Sequence, residues 1–196
     1  MKKPLLIGIV VVGVILLLVG MFASMYNSMV DRQVKVESAW AQVQNDYQRR
    51  LDLIPNLVST VKGAAEFEKS TLTAVIEARA NATQVKVDPS NMTPEDLAKF
   101  QQAQGQLSTA LGRLMVVVEQ YPDLKANRNF SELQVQLEST ENRISNARRK
   151  FNEAANEYNA YIRKFPQVML AGVYGFHARP FFEAETAAQQ APKVAF

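Results

Sequence analysis

Pro4 to Val30 contains no charged side chain, and Leu5 to Met25 is built from Leu, Ile, Val, Gly, Met, Phe and a few small residues. That run constrains the chain more than any other feature. A helix rises about 1.5 Å per residue, so about 20 such residues cross the roughly 30 Å hydrocarbon core of a bilayer. A cleaved signal peptide would carry a shorter apolar region, about 7–15 residues, ending at small residues in an A-x-A pattern. Here the run is longer, and Met21-Phe22-Ala23-Ser24 lacks a small residue at the required offset. There is no cysteine, which removes a lipoprotein anchor, disulfides and thiolate metal sites. The expectation is an uncleaved transmembrane anchor. Lys2 and Lys3 lie against one end of it, whereas Arg32 and Lys35 lie further from the other. The positive-inside rule then predicts a cytoplasmic N-terminus and a body on the periplasmic or extracellular side of a bacterial plasma (inner) membrane. Gly13, Gly20 and Ser24 share one face of the span, a small-residue face that allows close helix–helix approach.

Beyond the span the period of the apolar residues is helical throughout. Val36, Trp40, Val43, Tyr47, Leu51, Ile54, Leu57/Val58, Val61, Ala65, Leu72 and Ile76 recur in steps of three and four, predicting one long interrupted helix from Tyr26 to about Ala80. No Gly or Pro separates it from the span. Pro55 is the expected interruption, since proline in a helix interior removes a donor and crowds the carbonyl four residues back. Either a kink forms there or the helix restarts, with Asp52 as cap and Pro55 in the first turn. Val85 to Met92 reads as a loop. Thr93-Pro94-Glu95-Asp96 is a strong helix start, with a capping threonine, proline at the first position and two acids at the positive dipole end. That helix carries Leu97, Phe100, Leu107, Leu111, Leu114, Val118 and Tyr121 as its apolar stripe and stops at Tyr121-Pro122.

The third helix is expected to open with Asn129 as cap and Glu132 three residues on. Phe130, Leu137, Ile144, Phe151, Tyr158 and Phe165 follow every seven residues, with Leu133, Thr140, Ala147, Ala154 and Tyr161 as companions. Such a stripe predicts coiled-coil-like packing, with the aromatics as bundle core. Pro166 is the expected terminator. Five asparagines (Asn142, Asn146, Asn152, Asn156 and Asn159) are unusual in one helix, because Asn is a poor helix former. Some are expected to reach backbone groups or other helices, while Asn146 and Asn156 face water. The segment after Gln167 crowds Val168, Met169, Leu170, Val173, Tyr174, Phe176, Phe181 and Phe182 between Gly172, Gly175 and Pro180. It is too short to span a membrane. It either caps the end of the bundle or presents an apolar surface to another chain.

Chemistry is sparse in this pattern. His177 is the one histidine, and no paired-histidine, Glu-x-x-His, phosphate-loop or nucleophile-elbow motif is present. Lys and Arg number 22 against 19 Asp and Glu, a net charge of +3 without the one-sided clustering that nucleic-acid binding needs. No catalytic, cofactor-binding or metal residues are predicted. Arg49, Arg50 and Asp52 beside Pro55 are expected to make ion pairs that secure the break, an anion or partner site being the alternative.

Arg49-Arg50-Leu51-Asp52-Leu53-Ile54-Pro55-Asn56-Leu57-Val58 resembles the hallmark of the LemA family. Tyr121-Pro122-Asp123-Leu124-Lys125-Ala126-Asn127, followed by Asn129-Phe130, is similar to its second signature. Thr140-Glu141-Asn142-Arg143-Ile144, Ala147-Arg148-Arg149 and Phe151-Asn152 are similar to its third. Tyr158-Asn159, Phe181-Phe182-Glu183 and the early Tyr26-Asn27 fit as well, so the resemblance covers nearly the whole chain. Phe151 departs from the tyrosine usual before that asparagine. The resemblance implies a short membrane anchor and an antiparallel bundle of long helices, and it supplies no catalytic residues. Family members occur beside membrane proteases and small membrane proteins. A sensor kinase shares the name, but no phospho-acceptor helix or ATP-binding domain is written here.

The expected architecture is therefore all-α. Residues 1–27 form a cytoplasmic stub and anchor, 28–183 an antiparallel bundle of three long helices with a short C-terminal aromatic segment, and 184–196 a flexible Ala/Gln-rich tail. The expected role is a structural or scaffolding protein of the bacterial envelope, not an enzyme and with no cofactor. Its expected partners are the lipid bilayer and further copies of itself, with no nucleic acid. The alternative is an adaptor for a membrane protease or transporter.

Overall fold

The computed structural model describes residues 2–63 and 68–183. The described chain is all-α, in the order α1 (Lys2–Lys62), α2 (Lys69–Gln84), α3 (Pro94–Val118), α4 (Pro122–Lys125), α5 (Arg128–Ile162) and α6 (Gln167–Tyr174). It divides into two compact units. The anchor unit holds the described residues from 2 to 38 together with Glu153–Arg179, and the bundle unit holds the described residues of 39–152 together with 180–183. Ala65 and the tail at 184–196 lie outside the described residues.

In the bundle unit, Trp40 meets both Phe100 and Phe151 edge-on, with centroids 5.2 and 5.6 Å away. Further along α1, Arg50 reaches Gln104 and Ser108 on α3 and Glu141 on α5. Residue numbers therefore rise together on α1 and α3 and in opposition on α1 and α5. The Arg79 side chain on α2 bonds back to Leu51, and α2 packs on α3. The unit is thus an up-down-up-down helical bundle, antiparallel as expected. Its core runs through Leu51, Ile54, Leu57 and Val61, Leu72 and Val75, Leu107, Leu111 and Leu114, and Phe130 and Leu137. These are the stripes that place one face of each helix inward.

Helix α1 runs through Pro55 without restarting, and the Asp52 side chain accepts from Gln48 instead of capping. The interruption falls later, after Lys62, and α2 begins at Lys69. What makes Pro55 tolerable is visible at Leu51. Its carbonyl, deprived of the Pro55 N–H, accepts a 2.9 Å hydrogen bond from Arg79 Nε.

Helix α3 starts as expected. The Thr93 hydroxyl accepts from Asp96 N at 3.1 Å, and Asp96 accepts from Thr93 N at 3.3 Å, with Pro94 in the first turn. The Thr93 hydroxyl and then its backbone amide hold the Asp96 carboxyl below its usual range. The third long helix starts differently. Asn127, not Asn129, is the cap, its side-chain oxygen accepting from Asn129 N (2.9 Å) and Phe130 N (3.3 Å). Asn129 is already inside the first turn, so its own amide is one of the donors to be satisfied.

The seven-residue stripe of α5 is buried at Phe130, Leu137, Ile144, Phe151 and Tyr158, but Phe165 is exposed. Helix α5 ends at Ile162, before the stripe reaches it. The companion positions drift: Thr140 and Ala147 are buried, then Ala155 is buried and Ala154 only half-buried. A straight helix gains about 20° per heptad on a seven-residue repeat, which moves the inner position on by one residue.

Candidate functional site

Three groups of residues go beyond plain packing: a buried arginine, a set of asparagine clamps, and an uncovered apolar surface in the anchor unit.

Arg50 is almost fully buried in the bundle unit. Its Nη1 donates to Glu141 Oε1 at 2.6 Å and to Ser108 Oγ at 2.9 Å, while Nη2 donates to Gln104 Oε1 at 2.5 Å. Its guanidinium also lies 5.0 Å from the Tyr47 ring. Burial of a charge is costly unless it is paired and hydrogen-bonded, and Arg50 is both. A cavity of about 50 Å³ opens beside it. Arg49 and Asp52, expected to join it in securing the Pro55 break, are both exposed. The correction follows from helical geometry: residues one and two apart point away from each other, so Arg50 turns inward and its neighbours outward. Glu141 stands in the third family-like stretch without a role read from the sequence, and Gln104 is a polar partner that the apolar stripe of α3 conceals. Gln104 sits four residues after Phe100 inside the apolar stripe of α3, and a polar residue there is a readable sign of a buried polar partner.

Two of the asparagines are clamps. In the bundle unit Asn152 accepts from Phe182 N and donates to Phe182 O, each at 2.9 Å. In the anchor unit Asn159 accepts from Arg179 N and donates to Arg179 O, each at 2.8 Å. A carboxamide offers one acceptor and one donor edge, so it can pair with both backbone groups of one residue as a strand neighbour would. Asn142, Asn146 and Asn156 are exposed, and Asn146 only bonds back to the Asn142 carbonyl. The clamp at Asn152 seats Phe182, which is buried and stacks on Trp40 (5.9 Å, 21°) and edge-on to Phe151 (5.4 Å). Arg148 and Gln101 hold the Glu183 carbonyl beyond it. Phe182 is therefore core, not surface, while Phe181 remains exposed. Beside the other clamp, burial pushes the Tyr158 phenol above its ordinary pKa, and the Arg179 charge acts against that. Its hydroxyl has no hydrogen-bond partner among the described residues.

The other candidate positions carry no polar site of their own. Pro55 and Asn56 are exposed. Tyr121 is half-buried, and its carbonyl accepts from Leu124 N and Lys125 N of the short helix that Pro122 opens.

In the anchor unit, the first part of α1 is long and apolar enough to cross a membrane, and none of its most apolar stretch is buried. Water is an untenable solvent for such a surface, which marks the chain as a membrane-associated protein. An added Cβ at Gly13 or Gly20 would meet open space, and Ser24 is also exposed, so the small-residue face is free. One turn beyond Phe22, Tyr26 packs edge-on to Tyr174 (5.2 Å) and Phe176 (5.7 Å). Arg32 sits 4.6 Å over the Tyr161 ring and 3.8 Å from Glu157. No three His, Asp or Glu side chains gather in a metal-binding group among the described residues.

Residues 39–196 match the LemA family. The chain is similar to Magnetosome protein MamQ 2 of Paramagnetospirillum magneticum, 29% identical over 179 residues that cover 83% of this chain and 66% of that one. Magnetosome protein MamQ of Magnetospirillum gryphiswaldense is 28% identical with the same coverage. Protein LemA of Metamycoplasma hominis is 26% identical over 171 residues, 84% of this chain and 74% of the relative. The chain thus spans 66% of the length of the MamQ relatives.

Proposed function

This chain belongs to the LemA family, and on that premise we propose that it is a non-enzymatic scaffold of the bacterial envelope, held in the plasma membrane by α1 and assembling with further copies of itself. One observation carries the reading. Polar side chains that join separate segments, Arg50, Asn152 and Asn159 among them, are spent on internal partners, while the uncovered features are packing surfaces. A chain that ties its buried polar side chains to internal partners and leaves the apolar start of α1 uncovered is suited to holding position in a bilayer, not to turning over a substrate.

Self-assembly is supported by the free face at Gly13, Gly20 and Ser24, where two helices can approach closely. Confinement to a membrane also raises the effective concentration of that face. The chain has no cysteine, so single cysteines report cleanly. Under mild oxidation in membranes, Ser24→Cys should form an intermolecular disulfide several-fold faster than Phe22→Cys, which points about 200° away around the helix. The parent should also run larger than a monomer in mild detergent. Equal rates at the two positions would reject the glycine face, and a monomer in detergent without membrane cross-linking would reject self-assembly.

A further inference from the structure

We propose that α6, with Phe165 before it and Phe176 after it, lies in the lipid–water boundary of the bilayer that α1 crosses, giving the anchor unit a second contact with lipid. The inference rests on the reading of α1 as a membrane span.

From Phe165 to Phe176 the chain carries no charged side chain. Such a run normally seeks a core, yet here it faces outward. Ala171 is buried, whereas Val173 is 79% exposed, Phe165 79%, Met169 64% and Val168 48%. Within α6, Val168, Met169, Gly172 and Val173 lie at helical spacings of three and four, so the exposed residues make one apolar face. Scattered apolar residues on a surface need no explanation, but a contiguous face does. At about 12 Å, eight helical residues are far too short to cross roughly 30 Å of hydrocarbon, so insertion across the bilayer is excluded.

The place of this face identifies its occupant. Tyr26 stands one turn beyond the exposed apolar run of α1, where a helix crossing a bilayer meets the headgroups, and tyrosine is enriched at that depth. Its ring holds Tyr174 at 5.2 Å and Phe176 at 5.7 Å, so the end of α6 is fixed at the level of that boundary. The apolar face of α6 thus continues the lipid-facing surface of α1. Gly175, at φ 74°, ends α6 with the Phe176 amide bonded to the Ala171 carbonyl, which turns the chain back at this point. Arg163 and Lys164 are exposed immediately before the segment and His177 immediately after it. Long basic side chains beside an apolar face extend to headgroup phosphates while their stems stay in apolar surroundings.

Spin labels on single cysteines test the depth directly. The full chain is reconstituted in phosphatidylcholine–phosphatidylglycerol vesicles and labelled in turn at Leu16→Cys in the span, Met169→Cys and Val173→Cys on α6, and Val135→Cys on the exposed face of α5. Relaxation by oxygen, which concentrates in lipid, is compared with relaxation by a water-soluble nickel chelate. The expected result is oxygen-dominated relaxation at 16, 169 and 173 and nickel-dominated relaxation at 135. Nickel-dominated relaxation at 169 or 173 with position 16 still in lipid overturns the proposal and leaves the span intact. Nickel-dominated relaxation at 16 overturns both. Protection of 169 and 173 from both reagents with spin–spin broadening shows a second copy on the face, and also overturns it.

Discussion

A single guanidinium shows how a charge can be placed among apolar side chains. Arg50 is nearly fully buried, but its main anionic partner Glu141 is half-exposed, so the two sides of the pair have unequal stakes. Removing Glu141 strands a buried charge, whereas removing Arg50 frees a carboxylate that water can solvate. Breaking fully buried pairs costs about 3–5 kcal/mol, and partial exposure of one partner lowers this. Glu141→Ala should therefore destabilise the bundle by about 2 kcal/mol. The double variant Arg50→Met/Gln104→Leu, which removes the charge together with the buried amide that would lose its donor, should stay within about 1 kcal/mol of the parent or exceed it. Denaturant unfolding of the full chain in detergent micelles measures both. A double variant that loses as much as Glu141→Ala would mean that the polar network, and not the packing around it, holds α1 to α3 and α5.

At the scale of elements, Pro55 and Arg79 make a compensated pair. Proline leaves the Leu51 carbonyl without its helical donor, and Arg79 supplies one from α2. Arg79→Met should cost about 1 kcal/mol in the parent, the usual net worth of one hydrogen bond. In a Pro55→Ala background, where the helix provides its own donor, the same change should cost close to nothing. A double-mutant cycle read by thermal unfolding measures the coupling, and equal costs in both backgrounds would show that the bond to Leu51 contributes nothing. This pair also shows where sequence reading stops. The Thr93-Pro94 helix start was legible because its cap and the amide it serves lie three residues apart. The fate of Pro55 was not, because the Arg79 side chain that rescues the Leu51 carbonyl lies 28 positions from it. Asn127 and Asn129 are both good caps, and only the hydrogen bonds distinguish them. The seven-residue stripe of α5 identified the core but not its slow rotation, so Ala154 was expected where Ala155 is buried. The clamps at Asn152 and Asn159 were legible only as an excess of asparagine, since their partners are backbone groups, which carry no residue identity.

For the whole chain, the uncharged run was the most legible feature, because bilayer thickness sets a length that little else in a sequence satisfies. Its direction rests on Lys2 and Lys3 against Arg32 and Lys35 and predicts that the bundle lies outside the cytoplasm. Asn91 is exposed in the loop between α2 and α3. Asn91→Cys should react with a membrane-impermeant thiol reagent in cells whose outer layer alone has been permeabilised, and labelling only after the inner membrane is broken would reverse the orientation. The buried arginine has one more consequence, for the order in which the bundle can form. Its three hydrogen-bonding partners come from two helices that α1 meets only after long stretches of intervening chain. An early hairpin of α1 and α2 can leave Arg50 in water at no cost, but a compact state missing either α3 or α5 would trap a half-solvated cation. Partial assemblies are thereby penalised, and the route to the folded bundle is biased toward late, simultaneous closure of α3 and α5 around α1.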